Sequence, residues 1–135
     1  MVRTLTLAAK GRGLHEFTEQ VGALVRESGV RDGLCTVFIQ HTSASLVVQE
    51  NADPSAQRDL EAWLERLVPE GDPLYSHTLE GPDDMPAHIR AVLTQTSLGI
   101  PVVDRQLALG PWQGLYLWEH RARGGPRRVV VHVGE

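Results

Sequence analysis

Gly124-Gly125 stands between two runs rich in strand-favouring residues, Gly114–Arg121 and Arg127–Val133. Valine, leucine, tyrosine and tryptophan suit a pleated, half-buried surface, and paired glycines supply the positive φ of a tight reversal. The pattern predicts an antiparallel hairpin at the C-terminal end. A chain of 135 residues built around such a pairing has the size of one domain, residues 1–135.

The remaining punctuation adds strands and helices. Val2–Leu7 reads as a strand, and Leu14–Phe17 as a short one paired back on it across the Lys10–Gly13 turn. Thr18 reads as an N-cap, with Val21, Leu24 and Val25 at helical spacing up to a stop at Gly29. Gly33–His41 and Ser45–Glu50 read as strands joined by Thr42-Ser43-Ala44. Asp53-Pro54 is a helix start, with Asp at the cap and Pro at the first helical position. Leu60, Trp63, Leu64 and Leu67 then give an apolar helical face, which Pro69 ends. Glu70–Met85 reads as a long loop. Pro86 restarts a short helix through Leu93, and Ile100–Val103 is a further strand. The fold class expected is α+β: a compact single domain of antiparallel β-sheets with two or three helices.

Composition narrows the function classes. Thirteen basic residues against seventeen acidic ones give a net charge of -4, without the basic excess of a general nucleic-acid binder. No apolar run approaches the roughly 20 residues of a membrane helix, and no secretory signal is visible at the N-terminus. Neither nucleic acid nor membrane is an expected partner. The single cysteine, Cys35, forms no intrachain disulfide and fits a reducing cytosol, so the expected location is cytoplasmic. Mid-strand among apolar neighbours, it reads as a buried thiol. Gly11-Arg12-Gly13 lacks the third glycine of a dinucleotide fingerprint. P-loop, Gly-x-Ser-x-Gly and His-Glu-x-x-His signatures are absent.

Polar residues gather in two clusters. One is His41-Thr42-Ser43-Ala44-Ser45, continuing through Gln49-Glu50-Asn51-Ala52-Asp53. The other, His77 to His88, packs two histidines and the carboxylates of Glu80, Asp83 and Asp84 into twelve residues. Imidazole and carboxylate together suit zinc, manganese or iron. His88 would lie in the first turn after Pro86, where the helix dipole disfavours imidazolium and leaves a ring nitrogen free to coordinate. Against this, each histidine taken singly reads as a hydrogen-bonded structural residue, and Asp53 and Asp84 as helix caps. His15, His120 and His132 read as surface or strand histidines without a role.

Four segments in order carry a more specific signal: Gly33-Leu-Cys-Thr-Val-Phe-Ile-Gln-His-Thr-Ser-Ala-Ser45, Glu50-Asn-Ala-Asp-Pro54, Glu80-Gly-Pro-Asp-Asp-Met-Pro-Ala-His-Ile89 with His77 before it, and Leu109-Gly-Pro-Trp-Gln-Gly114. Together they resemble the YjbQ family, also called the secondary thiamine-phosphate synthase family. Two departures stand out. Pro111 replaces a small hydroxyl residue and removes a backbone donor near Gln113. Asp104-Arg105-Gln106 lacks an Asn-Gly turn.

The resemblance implies a homotrimer with sites near subunit interfaces. It also implies a thiamine-phosphate synthase activity, as a main or side reaction, joining a pyrimidine diphosphate to a thiazole phosphate with release of pyrophosphate. The substrate class is thus a small phosphorylated or heterocyclic molecule. His41, His77 and His88 are the expected ligands of a divalent metal ion, zinc or magnesium, since bare carboxylates repel phosphate. Asp84, with Asp83 and Glu80, is the expected catalytic group. Thr42, Ser43, Asn51, Arg90 and Gln113 are expected to bind substrate. A metal-dependent hydrolase and a non-catalytic trimeric small-ligand-binding protein remain alternatives. Trp112, Tyr116 and Trp118 are expected to supply aromatic area between subunits.

Overall fold

The computed structural model describes residues 1–135. The chain runs β1 (Val2–Ala9), β2 (Gly13–Glu16), α1 (Thr18–Ser28), β3 (Gly33–Ile39), β4 (Ala44–Glu50), α2 (Pro54–Leu67), α3 (Asp84–Leu93), β5 (Ser97–Val103), β6 (Gln106–Leu107), β7 (Gln113–Glu119) and β8 (Gly125–Gly134). Two antiparallel sheets result, one in the order β1-β8-β3-β5-β6 and a smaller one in the order β2-β7-β4. The α+β class with three helices is as the sequence predicts.

The pairing partners differ from the expectation. β7 and β8 do not form a hairpin: β7 lies between β2 and β4, while β8 lies between β1 and β3. β1 and β2 likewise part into different sheets. The two glycines instead make the arch by which the chain leaves one sheet for the other. Gly124 (φ 65°) and Gly125 (φ 151°) both have positive φ, and a Cβ on Gly124 would run into the Ala9 carbonyl. Apolar alternation alone does not distinguish the two arrangements. Leu115 and Leu117 of β7, and Val129, Val131 and Val133 of β8, are as well buried face to face across a sandwich as edge to edge in a hairpin.

The main core fills the space between the sheets, with Cys35, Val37 and Ile39 of β3, Leu46 of β4, and Val21 and Val25 of α1. Cys35 is fully buried, and burial pushes its thiol up to about 11. A second cluster lies on the outer face of the smaller sheet, where Leu64 of α2 covers Leu14, Tyr116 and Trp118. Tyr116 and Trp118 are thus interior residues of one chain, and only Trp112, 65% exposed, is free to meet a second subunit. The apolar stripe on α2 is wider than its contact, so Trp63 and Leu67 stay exposed.

Local signals hold closely. Asp53 caps α2 by accepting from the Ser55 N–H at 2.9 Å, and this bond lowers its carboxyl pKa. Gly29 ends α1 in the left-handed conformation. Thr18 lies one position inside α1 rather than at its cap, because its hydroxyl joins Glu16 and the Leu115 N–H. α3 begins at Asp84, two residues before Pro86. The first-turn N–H groups of a helix need no intrahelical acceptor, so a proline there breaks nothing.

Candidate metal centre

Asp84 opens α3, and His88 lies four residues on, hence on the same helical face. The loop before the helix returns His77 to that face. Asp84, expected as a catalytic group with a helix cap as the alternative, is 1% exposed. Its Oδ2 lies 2.7 Å from His77 Nε2 and 3.0 Å from His88 Nε2, while Oδ1 accepts from Arg121 Nη1 at 2.7 Å. Burial opposes its ionisation, but His77, His88 and Arg121 outweigh this and hold the carboxyl below the usual range.

The far side of His88 decides what the near side can do. Its Nδ1 meets the Thr42 carbonyl at 2.9 Å, and a carbonyl oxygen can only accept. Nδ1 therefore carries the proton, and a neutral ring turns the Nε2 lone pair toward Asp84. One ligand atom from each of His77, Asp84 and His88 lies within 4.8 Å of the others. A carboxylate oxygen facing an imidazole lone pair is repulsive unless a proton or a cation lies between them. The alternation carbonyl–imidazole–cation site, with the carboxylate anchored by an arginine, is how proteins orient metal ligands from behind. The donor set, two nitrogens and an oxygen, suits a divalent transition ion and leaves coordination positions open.

Arg121 ties the cluster to the rest of the loop. Its Nε donates to Asp83 Oδ2 at 3.0 Å and its Nη2 to the Glu80 carbonyl at 2.9 Å. The bond to Asp83 raises the arginine's pKa, despite partial burial. Asp83 also accepts from the Ala122 N–H; these bonds overcome its desolvation and keep it ionised. Asp83 thus positions Arg121, and Glu80 contributes its carbonyl rather than its carboxylate.

Of the three predicted histidine ligands, the chain brings together two, with Asp84 in the place expected for the third. His41 stands apart: its Nε2 accepts from the Arg128 N–H at 2.8 Å, and its Nδ1 faces Arg127 at 3.4 Å. Burial and then the charges of Arg127 and Arg128 lower its pKa. Thr42 meets the cluster through its carbonyl. Ser43 lies beside it, its hydroxyl accepting from Arg127, in a cleft of about 610 Å³ also lined by Asp83, Arg121, Arg123 and Arg127.

The other predicted substrate residues lie elsewhere. Gln113 and Asn51 sit at the opposite end of β7, about 20 Å along the strand at its usual rise. The Gln113 side chain accepts from the Gly110 N–H, and Asn51 donates to Glu16. The Gln113 N–H bonds the Gly110 carbonyl, so Pro111 occupies the second position of a turn that suits it. Arg90, two residues past His88, points from another face of α3 and is buried.

Sequence reasoning passed over Arg121, Glu119, His120 and Arg127. Glu119 is fully buried and receives both Arg127 Nε and Nη2, at 2.6 and 2.7 Å. His120 is not a surface residue but 1% exposed, with Nε2 2.8 Å from the Ser45 hydroxyl. The available signal was Glu119-His120-Arg121, three ionisable residues ending an apolar strand.

Fold and site define the class: a two-sheet α+β domain carrying a His–Asp–His cluster at a helix start. The chain belongs to the UPF0047 protein YjbQ-like family, whose model matches residues 3–135. The UPF0047 protein sll1880 of Synechocystis is 55% identical over 129 residues, covering 96% of this chain and 88% of that protein. The UPF0047 protein YjbQ of Escherichia coli O157:H7 is 44% identical over 130 residues, covering 96% and 94%. Among solved structures, an uncharacterized conserved protein of the yjbq/upf0047 family from Clostridium acetobutylicum superposes with TM-score 0.85 at 36% identity, covering 99% of each chain. The conserved hypothetical protein TT1486 of Thermus thermophilus does so with TM-score 0.87 at 32% identity, covering 98% and 99%. No helix is long and apolar enough to cross a membrane.

Proposed function

We propose that the protein is a metal-dependent enzyme acting on small phosphorylated molecules, with thiamine-phosphate synthase chemistry as its reaction. The observation that carries the reading is the convergence of the His77, Asp84 and His88 ligand atoms, with His88 locked by Thr42 and Asp84 by Arg121. His77, Asp84 and His88 would hold a divalent ion, zinc rather than magnesium for a donor set with two imidazole nitrogens, and it would supply positive charge where the leaving diphosphate becomes more negative. Around it, Ser43, Arg121, Arg123 and Arg127 line the adjoining cleft. Arg123 is exposed and heads no ion pair, so it is available to a phosphate. Asp83 keeps Arg121 in place while substrate binds, and Asp84 holds both histidines in register.

A homotrimer follows from the same reading. Trp112, Leu93 and Val92 expose 65%, 55% and 82% of their surface, and Leu74 and Leu79 are more exposed still. A second subunit covering such residues would bring further groups to a cleft that one chain leaves open. A cytoplasmic location agrees with the free, buried Cys35 thiol.

The test mixes the pyrimidine diphosphate and the thiazole phosphate with metal-loaded protein and follows pyrophosphate release, for the wild type and for Asp84→Asn. The reading expects turnover that falls on the order of 10–100-fold in the variant. Release of phosphate from either compound alone would assign a hydrolase instead. Absence of any turnover in the loaded wild type would leave the small-ligand-binding protein as the better account.

A further inference from the structure

A separate cavity of about 330 Å³ lies between α2 and the outer face of β7, lined by Arg12, Glu61, Leu64, Arg90, Trp118 and His120 among others. It does not include His77, Asp84 or His88. Arg90 is 2% exposed and its side chain makes one hydrogen bond, from Nη2 to the Val68 carbonyl at 2.7 Å. Its Nε and Nη1 are buried without a partner, as are His120 Nδ1 and Arg12 Nε. No carboxylate pairs with Arg90. Arg12 is neutralised by Glu65 and Glu70, and the Glu61 carboxylate receives the Leu14 N–H.

A guanidinium buried without a counter-ion is among the costliest arrangements a fold can hold. Natural structures leave few such groups, and each calls for an explanation. Here the unpartnered groups do not scatter: nitrogens on three side chains, Arg90, His120 and Arg12, belong to the lining of one cavity. In the tautomer in which the Ser45 hydroxyl, 2.8 Å away, donates to His120 Nε2, Nδ1 carries the ring proton and is a donor as well. Apolar surface comes from Leu64 of α2 and from Trp118 of β7, whose ring lies 5.6 Å from the His120 ring. The glutamates belong to the α2 side, so the anionic end of a ligand is directed toward Arg90 and His120.

We propose that this cavity is a second small-molecule site, binding the phosphate group of a phosphorylated compound through Arg90, His120 and Arg12, with the rest of the molecule against Trp118 and Leu64. Donors from three side chains suit the several oxygens of a phosphate better than the two of a carboxylate. The volume is at the lower end of small-molecule pockets. The inference does not rest on the metal reading.

The experiment titrates chelator-treated wild-type protein with inorganic phosphate. Binding is followed by calorimetry and by the NMR signals of the Trp118 indole N–H and the His120 ring. Expected is saturable binding that moves both signals, weakened about ten- to a hundred-fold in Arg90→Met and Arg12→Gln. Arg12 is the more exposed of the two, so Arg12→Gln decides if Arg90→Met fails to fold. Three results would overturn the proposal: binding weaker than about 10 mM, shifts confined to residues of the Ser43–Arg127 cleft, or acetate binding as tightly as phosphate. Metal-free protein is used throughout, so failure here leaves the His77–Asp84–His88 reading untouched.

Discussion

His120 should make the protein acid-sensitive well above the pH at which carboxylates protonate. Burial, reinforced by the charges of Arg90, Arg12 and Arg127, lowers its pKa from 6.5 to about 3. In the unfolded chain the ring takes up a proton below the ordinary value; in the folded chain it stays neutral. Between these limits the unfolded state binds more protons, so stability falls as pH falls. Each pH unit below 6.5 costs about 1.4 kcal/mol, hence about 2 kcal/mol on going from pH 7.5 to pH 5. For a domain of this size that is roughly 1 M in the urea midpoint. His41, also lowered, adds in the same direction. The assay is urea unfolding at both pH values, at one chain concentration, in chelator and without phosphate buffer, for the wild type and His120→Gln. The variant cannot titrate at this position and should lose about 2 kcal/mol less over the interval. Equal losses in both proteins, or a His120 ring signal that titrates near neutrality in the folded state, would refute the reasoning.

Two further substitutions have directions set by the structure. Glu119→Ala leaves Arg127 partly buried without its bidentate partner, and should cost about 3–5 kcal/mol in chemical denaturation, against under about 1 kcal/mol for the exposed Glu27→Ala. Asp104 and Arg105 occupy the two-residue turn between β5 and β6 with φ of 52° and 67°. Arg105→Gly relieves that strain and should raise stability by about 1 kcal/mol, measured by thermal unfolding.

Local chemistry was legible in the sequence, and long-range pairing was not. Asp53-Pro54 and Gly29 announce helix ends because capping involves neighbours in the chain. The partners of β7 and β8 depend on which face of each strand meets which sheet, and Gly124-Gly125 permits either a hairpin or an arch. The same divide runs through the site. His77, Asp84 and His88 lie within twelve residues, so their association was readable. His41, equally suggestive by type, is turned by β8 toward the Arg128 N–H. Arg121 and Arg127 act on groups 37 and 84 residues away, and no periodicity reports such contacts. Arg90 reads as a substrate-binding residue beside His88, since nothing in one sequence shows that α2 and Val68 close over it.

The central claim is that His77, Asp84 and His88 form a metal site. Stripped protein titrated with zinc by calorimetry tests it directly, with native mass spectrometry counting ions per chain. The account predicts one ion per chain in the wild type and in His41→Ala. Affinity should fall at least about tenfold in each of His77→Ala, Asp84→Asn and His88→Ala. Wild-type protein that takes up no ion, or variants of the three residues that bind as tightly as the wild type, would contradict it.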